Sequence, residues 1–137
     1  MPLLGNDTDG AVTRKRIEAF AAKTEKVTVV AASDAATTQA QATLAAAGHV
    51  VYTMTPTAGR ALTTPTGAEL GAAFTDEAVG TSFKFSVVNL AGATHAITLT
   101  AGASGVTLVG DAAVAAATSA SFVGVFTAAD TVSIYRV

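Results

Sequence analysis

A run of potential oxygen ligands lies near the start of the chain, in Asn6-Asp7-Thr8-Asp9-Gly10. If Gly10 held the glycine position of a calcium-binding EF-hand loop, the first ligand position would fall on Gly5 and the twelfth on Arg16. An EF-hand needs Asp and Glu at those two positions. The run therefore predicts a turn that caps a following helix, and we expect no metal ligand from it.

Histidine, serine and acidic residues elsewhere do not form a zinc or catalytic motif. His49 and His95 each lie beside apolar residues, and the chain has no cysteine to complete a three- or four-ligand zinc site. Ser104 lies in a turn-like stretch without the Gly-x-Ser-x-Gly spacing of a nucleophile elbow. Asp76 and Glu77 are adjacent, so on a strand they would point to opposite faces. We therefore expect no enzymatic activity and no cofactor.

Positive charge is concentrated near the start of the chain, at Arg14, Lys15, Arg16, Lys23 and Lys26. Glutamates interrupt this run, and the formal net charge of the whole chain is −2. Binding to nucleic-acid phosphates needs a basic face, which this balance does not favour. The run remains open to three interpretations: a solvated helix face, a docking segment for an acidic partner surface and, against the net charge, a nucleic-acid contact.

The charge distribution divides the chain into an N-terminal arm, residues 1–32, and a β-rich body, residues 33–137. Within the arm, Thr13, Ile17 and Phe20 follow helical spacing, and residues 27–30 are β-branched and predict a strand. The first residues lack the basic and apolar segments of a signal peptide. No apolar stretch approaches the ~20 residues of a membrane span. We therefore expect synthesis in the cytoplasm and no membrane partner.

Two short helices are predicted in the body. Residues 33–47 are rich in Ala, Thr and Gln, and Ser33 or Asp34 would cap a helix that ends at the following glycine. A second helix is predicted from Pro65 to Phe74, because proline suits the first turn of a helix. These helices interrupt a chain that otherwise has the pattern of strands and turns.

Period-two alternation dominates the second half of the chain. In one segment Phe83, Phe85 and Val87 alternate with polar residues, which predicts a strand with one buried face. Strands are predicted at residues 49–55, 82–88, 96–101, 106–109, 119–127 and 131–137. Short strands at about ten-residue spacing indicate a mainly-β fold, a small β-sandwich or jelly-roll-like domain with one or two short helices and an N-terminal arm.

Composition indicates an oligomer. Hydrophobic residues make up 50% of the chain, but alanine supplies much of this share and aromatic residues only 6%. Charged residues make up 13%, about half of the ~25% that is usual in globular domains. The phenylalanines of the second half are expected in the core, which leaves Tyr52 and Tyr135 as candidates for stacking on a sugar. A chain of this kind fits a permanent assembly better than a free monomer.

Several segments of the body resemble a pattern found in structural proteins of tailed-phage virions. The resemblance is carried by a Pro65-Thr66 pair before a short helix, and by a Gly80-x-x-Phe83 strand that ends in Asn89. It extends over residues 48–52, 62–70, 79–89, 98–102, 105–108, 119–122 and 132–135. Capsid decoration, head-fibre and tail-associated proteins share this pattern, which implies a virion role and often a trimer.

The resemblance implies a capsid decoration protein that binds the major capsid protein on the outer surface of the phage head and stabilises the shell as a homotrimer. Neither nucleic acid nor a membrane is expected as a partner. The arm then becomes the docking segment, with candidate capsid-docking residues Arg14, Lys15, Arg16, Ile17 and Phe20. The alternatives are a head-fibre, tail-associated or receptor-binding virion protein, and a shell component or surface-layer or adhesin module.

Overall fold

A computed structural model of the protein describes residues 26–46 and 48–137. This part of the chain contains two short helices, α1 Gln41–Ala46 and α2 Gly67–Ala73. Its strands are β1 Val27–Ala31, β2 Thr37–Thr38, β3 His49–Met54, β4 Arg60–Thr63, β5 Ser82–Asn89, β6 Ile97–Thr100, β7 Val106–Val109, β8 Ala113–Val114, β9 Ser119–Ala128 and β10 Thr131–Arg136. The predicted mainly-β class with short helices is confirmed. The helix predicted around Thr13, Ile17 and Phe20 lies outside the described residues.

The strands form two sheets with the core between them. One sheet has six strands in the order β1-β3-β5-β9-β10-β7, and the other has four in the order β2-β4-β6-β8. The chain alternates between the two sheets as far as β9, and β10 then pairs with β9 as an antiparallel neighbour. Buried side chains from both sheets and both helices form one hydrophobic cluster. The six-stranded sheet therefore has one face on this core and one face turned away from it.

The first six strands form three coils, each with one strand in the six-stranded sheet followed by one in the four-stranded sheet. Strand β3 pairs in parallel with β1 and β5, and β4 pairs in parallel with β2 and β6. A helix follows each of the first two coils, and its fourth residue is a buried leucine, Leu44 in α1 and Leu70 in α2. These parallel pairs were not anticipated from the sequence. Residues 27–31, assigned to the arm, form an edge strand of the body sheet.

Aromatic side chains fill the core side of the neighbouring strands β5 and β9. The rings of Phe85 and Phe122 are stacked with centroids 5.2 Å apart, and the ring of Phe83 lies 6.5 Å from that of Phe126. Phe74, just after α2, packs against Phe83 at 5.3 Å and so joins the helix to this group. Such pairs contribute beyond the area that they bury. The predicted core position of the four strand phenylalanines is confirmed.

The helix predicted over residues 33–47 is mostly wrong. Only Gln41–Ala46 is helical, because Thr37 and Thr38 form β2 and pair with β4. Threonine is β-branched and favours a strand over a helix. Asp34 is not a helix cap, since its carboxylate accepts hydrogen bonds from Arg60 and Thr57.

Helix α2 begins at Gly67, two residues later than the sequence indicated. Thr66 is the N-cap, its hydroxyl accepts a hydrogen bond from the backbone N–H of Glu69, and the Glu69 carboxylate accepts one from the backbone N–H of Thr66. This capping box satisfies two donors that a helix start otherwise leaves open. Pro65 thus precedes the cap instead of lying in the first turn, where the sequence had placed it. The Glu69 pKa is lowered because its carboxylate accepts hydrogen bonds from the backbone N–H and from the hydroxyl of Thr66.

Asn89 joins the two sheets at the end of β5. Its side-chain amide donates to the carbonyl oxygens of His95 and Val114, and its oxygen accepts from the backbone N–H of Ala91. Val114 belongs to β8 in the opposite sheet. Asn89 is 1% exposed. Without these bonds its amide nitrogen and oxygen would be buried without hydrogen-bond partners, which would destabilise the fold. The asparagine that ends the resembling motif therefore has a structural role here.

We predict that Gly67→Ala destabilises the fold by about 1–3 kcal/mol, because an added methyl group would be forced against backbone. A Cβ on Gly67 would lie 1.9 Å from the carbonyl oxygen of Asp130 and 2.8 Å from that of Gly105. Urea unfolding measures the loss. Gly92→Ala is the matched control, since nothing lies within 4 Å of its Cβ position. Equal stability of the two variants would contradict the close approach of α2 to the β9–β10 turn.

We predict that the Asp34→Asn variant melts at a lower temperature than the unmodified chain at pH 7. The difference between the two melting temperatures should narrow as the pH falls. The bond from Arg60 Nε, at 2.6 Å, and the bonds from Thr57 hold the Asp34 pKa well below its usual range. When the pKa of an Asp is lower in the folded state than in the unfolded state, where it is about 3.9, the carboxylate stabilises the fold at pH values above about 3.9. This contribution is lost as the pH drops toward the pKa of the folded state. Both side chains are partly exposed, so the effect is small and weakens with salt.

Thermal unfolding at pH 7 and pH 3 checks this behaviour. Asp111→Asn is the control, because its ion pair with Arg136 is longer, at 3.3 Å, and its side chain is far more exposed. A difference between Asp34→Asn and the unmodified chain that stays constant with pH would rule out the ionised carboxylate as the cause.

Candidate interaction surface

The face of the six-stranded sheet that points away from the core is here called the outer face. It is built by strand alternation, because successive side chains on a strand point to opposite sides of the sheet. On β5, Phe83, Phe85 and Val87 point into the core, so Lys84 and Ser86 point to the outer face. The same alternation on each neighbouring strand, in register, makes this face continuous from β1 to β7.

The outer face carries most of the exposed apolar side chains in the described part of the chain. Of the seven large hydrophobic residues that are exposed there, five belong to it: Val27, Val29, Val109, Tyr135 and Val137. Val27 and Val29 are 58% and 65% exposed. The backbone N–H of Val137 donates to Ser121, which continues the ladder beyond β10 and places Val137 on the same side as Tyr135. Single exposed apolar residues are ordinary, but a group on one face indicates contact with another surface.

Four more valines, partly buried, lie between these residues. Val51, Val88, Val123 and Val125 occupy outward positions on β3, β5 and β9. Lys84 is the only charged side chain among the described strand residues that point to this face. The face is therefore rich in β-branched side chains and nearly uncharged, which is unusual for a sheet surface in contact with water.

A chain of hydrogen bonds crosses the centre of the outer face. Nε2 of His49 lies 2.8 Å from the hydroxyl of Ser86, which lies 2.8 Å from the hydroxyl of Ser121. These residues come from β3, β5 and β9, and Ser86 and Ser121 are direct cross-strand partners. Ser86 is only 9% exposed although it points away from the core. The polar centre of this face is thus satisfied within the sheet.

The contact between His49 and Ser86 does not complete a hydrolytic site. In a serine hydrolase a carboxylate orients the histidine, and donors for an oxyanion lie close to the nucleophile. Among the hydrogen bonds of the described residues, His49 has no acidic partner. Ser86 lies in the middle of a strand, on a flat face, with its hydroxyl already shared between two neighbours. The arrangement holds three strands together, and the absence of enzymatic activity stays a prediction.

The other residues considered for chemistry lie apart from this face. Asp76 and Glu77 follow α2 in a turn, where the Glu77 carboxylate accepts a bond from the backbone N–H of Asp130. His95 lies before β6, and its carbonyl oxygen accepts a bond from Asn89. Ser104 contributes a backbone carbonyl that accepts from the first N–H of α2. Each of these residues takes part in a loop or turn contact.

The two tyrosines differ in accessibility. Tyr52 is 4% exposed, packs edge-on against Phe85, and its burial raises the pKa of its hydroxyl to about 12. It is therefore closed to a sugar ligand. Tyr135 is 40% exposed and lies on the outer face among valines. A single aromatic ring on a flat face offers little for carbohydrate stacking and more for an apolar contact.

The predicted docking residues Arg14, Lys15, Arg16, Ile17 and Phe20 lie outside the described residues, and their role stays a prediction. The sequence did not lead us to predict the outer face, although the strand alternation that indicates it was present. The alternation that marked Phe83 and Phe85 as core also placed Ser86 on the opposite side. The link from Ser86 to His49 joins residues 37 positions apart, and only the strand order reveals it.

In comparisons with known proteins, no protein-family model, no curated protein and no solved structure matches the chain. Neither helix in residues 26–46 and 48–137 is long and apolar enough to cross a membrane. Within those same residues, no three His, Cys, Asp or Glu side chains are grouped so that they could hold a metal ion.

We predict that Ser86→Ala costs about 1 kcal/mol of unfolding free energy, because it removes the hydroxyl shared by His49 and Ser121. Denaturant unfolding of the purified protein measures the change. Ser82→Ala, at the exposed start of the same strand, is the matched control and should stay within about 0.5 kcal/mol of the unmodified chain. If both variants behave alike, the hydrogen-bond chain does not stabilise the sheet.

Proposed function

We propose that this protein is a non-enzymatic structural component of a tailed-phage virion, and that it acts there as a capsid decoration protein. The outer face supports an assembly role most directly. Its six strands carry β-branched side chains, and Lys84 is the only charged side chain among the described outward strand positions. A surface of this kind fits contact with protein. The resemblance of the body segments supplies the virion context.

In this role the protein binds the major capsid protein on the outer surface of the head and stabilises the shell, as a homotrimer. Three modest contacts made by one trimer act together, so their combined affinity exceeds that of each alone. A protein that binds only the assembled shell stabilises that state by mass action. No nucleic acid, membrane or cofactor takes part. The docking contact is assigned to the arm, through Arg14, Lys15, Arg16, Ile17 and Phe20.

A head-fibre or tail-associated protein, including one that binds a receptor, is the second candidate. One observation favours it: three parallel coils, β1–β2, β3–β4 and β5–β6, stack so that each contacts its neighbour. Repeated units of this kind suit elongated structures. The two candidates differ most clearly in the number of copies that each particle carries.

The decisive measurement is the number of copies of this chain in purified virions, counted against the major capsid protein by quantitative mass spectrometry. Decoration predicts a ratio near one to one, or one trimer for each threefold position of the shell. A handful of copies per particle would contradict decoration and favour the fibre or tail role. Absence from purified particles would contradict the virion role as a whole.

A further inference from the structure

We propose that the outer face is the surface through which copies of this chain bind one another. Most of the exposed large apolar residues in the described part of the chain lie on this one face. The inference does not rest on the proposed function: it concerns a pair of copies that meet face to face about a twofold axis, and the face itself is a property of the sheet. It assigns to the subunit contact a surface that is separate from the arm.

The size of the face is suitable for such a contact. Six strands at a spacing of about 4.8 Å, over about six residues each, give a flat area of roughly 600 Å² before side-chain relief is counted. A stable interface buries about 800 Å² on each partner. The edge strand β1 contributes two exposed valines and no charged residue to this area. The outer face therefore provides most of the area that a stable contact needs.

The polar centre of the face is already prepared for burial. Burial of a hydroxyl is costly when the hydroxyl loses its hydrogen-bond partner. Ser86 bonds both to His49 and to Ser121, so contact with a second copy would leave neither serine without a partner. Lys84 lies on the central strand β5 opposite Val123, so its ammonium is the one charge among the described outward strand residues that the contact has to accommodate, and its alkyl stem can cover neighbouring valines.

A second copy fits this face better than the arm of the same chain. Two flat sheet faces pack about 10 Å apart with interdigitated side chains, which suits rows of valines. The helix predicted in the arm would offer two large apolar residues, Ile17 and Phe20, against a face that spans six strands. Shape thus favours another sheet as the occupant.

The test is the oligomeric state of the full chain, measured by light scattering and analytical ultracentrifugation over a range of concentrations. Val29→Lys and Tyr135→Lys place a charge on two well-separated strands of the outer face, β1 and β10, where the native side chains are exposed. Each should weaken association at least about 100-fold, since an unpaired ammonium would be buried in the contact. Val79→Lys is the matched control, because Val79 is 76% exposed and lies in the turn before β5, outside the six strands.

The inference holds if the unmodified chain and Val79→Lys form the same oligomer while both outer-face variants dissociate to monomers with unchanged melting temperature. An oligomer that survives both face variants overturns it and places the contact elsewhere. A monomeric unmodified chain also overturns it; in that case, dye binding that increases in Phe20→Lys would identify the arm as the occupant. None of these results changes the copy number in virions, so this inference and the proposed function can fail separately.

Discussion

The antiparallel pair of β5 and β9 at the centre of the six-stranded sheet is the constraint on which the rest of the structure depends. Its core side carries four phenylalanines in mutual contact, and burial of these rings fixes the register of the two strands. A shift of either strand by one residue would turn the rings of that strand away from the core. The same register decides which side chains meet on the opposite side. The hydrogen-bonded pair of Ser86 and Ser121 is therefore a consequence of how the phenylalanines pack.

Much of this fold could be predicted from local pattern. Period-two alternation located β5, β9 and β10, and the β-branched run at residues 27–30 marked β1. The pattern failed where a long-range partner decided the outcome. An Ala-rich segment with Thr37 and Thr38 fits a helix by composition, yet a parallel partner in β4 makes the two threonines a strand. Parallel strands are not joined by a tight turn, so no turn motif in the sequence indicates which strands pair. The three coils could therefore not be predicted.

The candidate surface was less predictable than the fold. Its residues come from strands scattered between Val27 and Val137, and a face exists only once the strand order is known. Sequence reasoning gave most weight to the basic run near the start, because charge is visible without a fold. Exposed valines carry no such signal, since valine on a strand is usually taken as core. The resembling motif was informative at Asn89, whose role as a bridge between sheets explains why that strand ends there.

The alternation of the chain between two sheets also determines the order in which the protein can be completed during synthesis. Strand β9 arrives late, yet its place is between β5 and β10, in the interior of the six-stranded sheet. Until residues 119–128 have left the ribosome, the rings on β5 lack their main partners, and one side of that strand has unpaired backbone groups. Such a nascent chain has an exposed aromatic surface and an open edge, which together promote aggregation. A nascent chain that has emerged only as far as β8 thus still lacks the strand that covers the rings of β5.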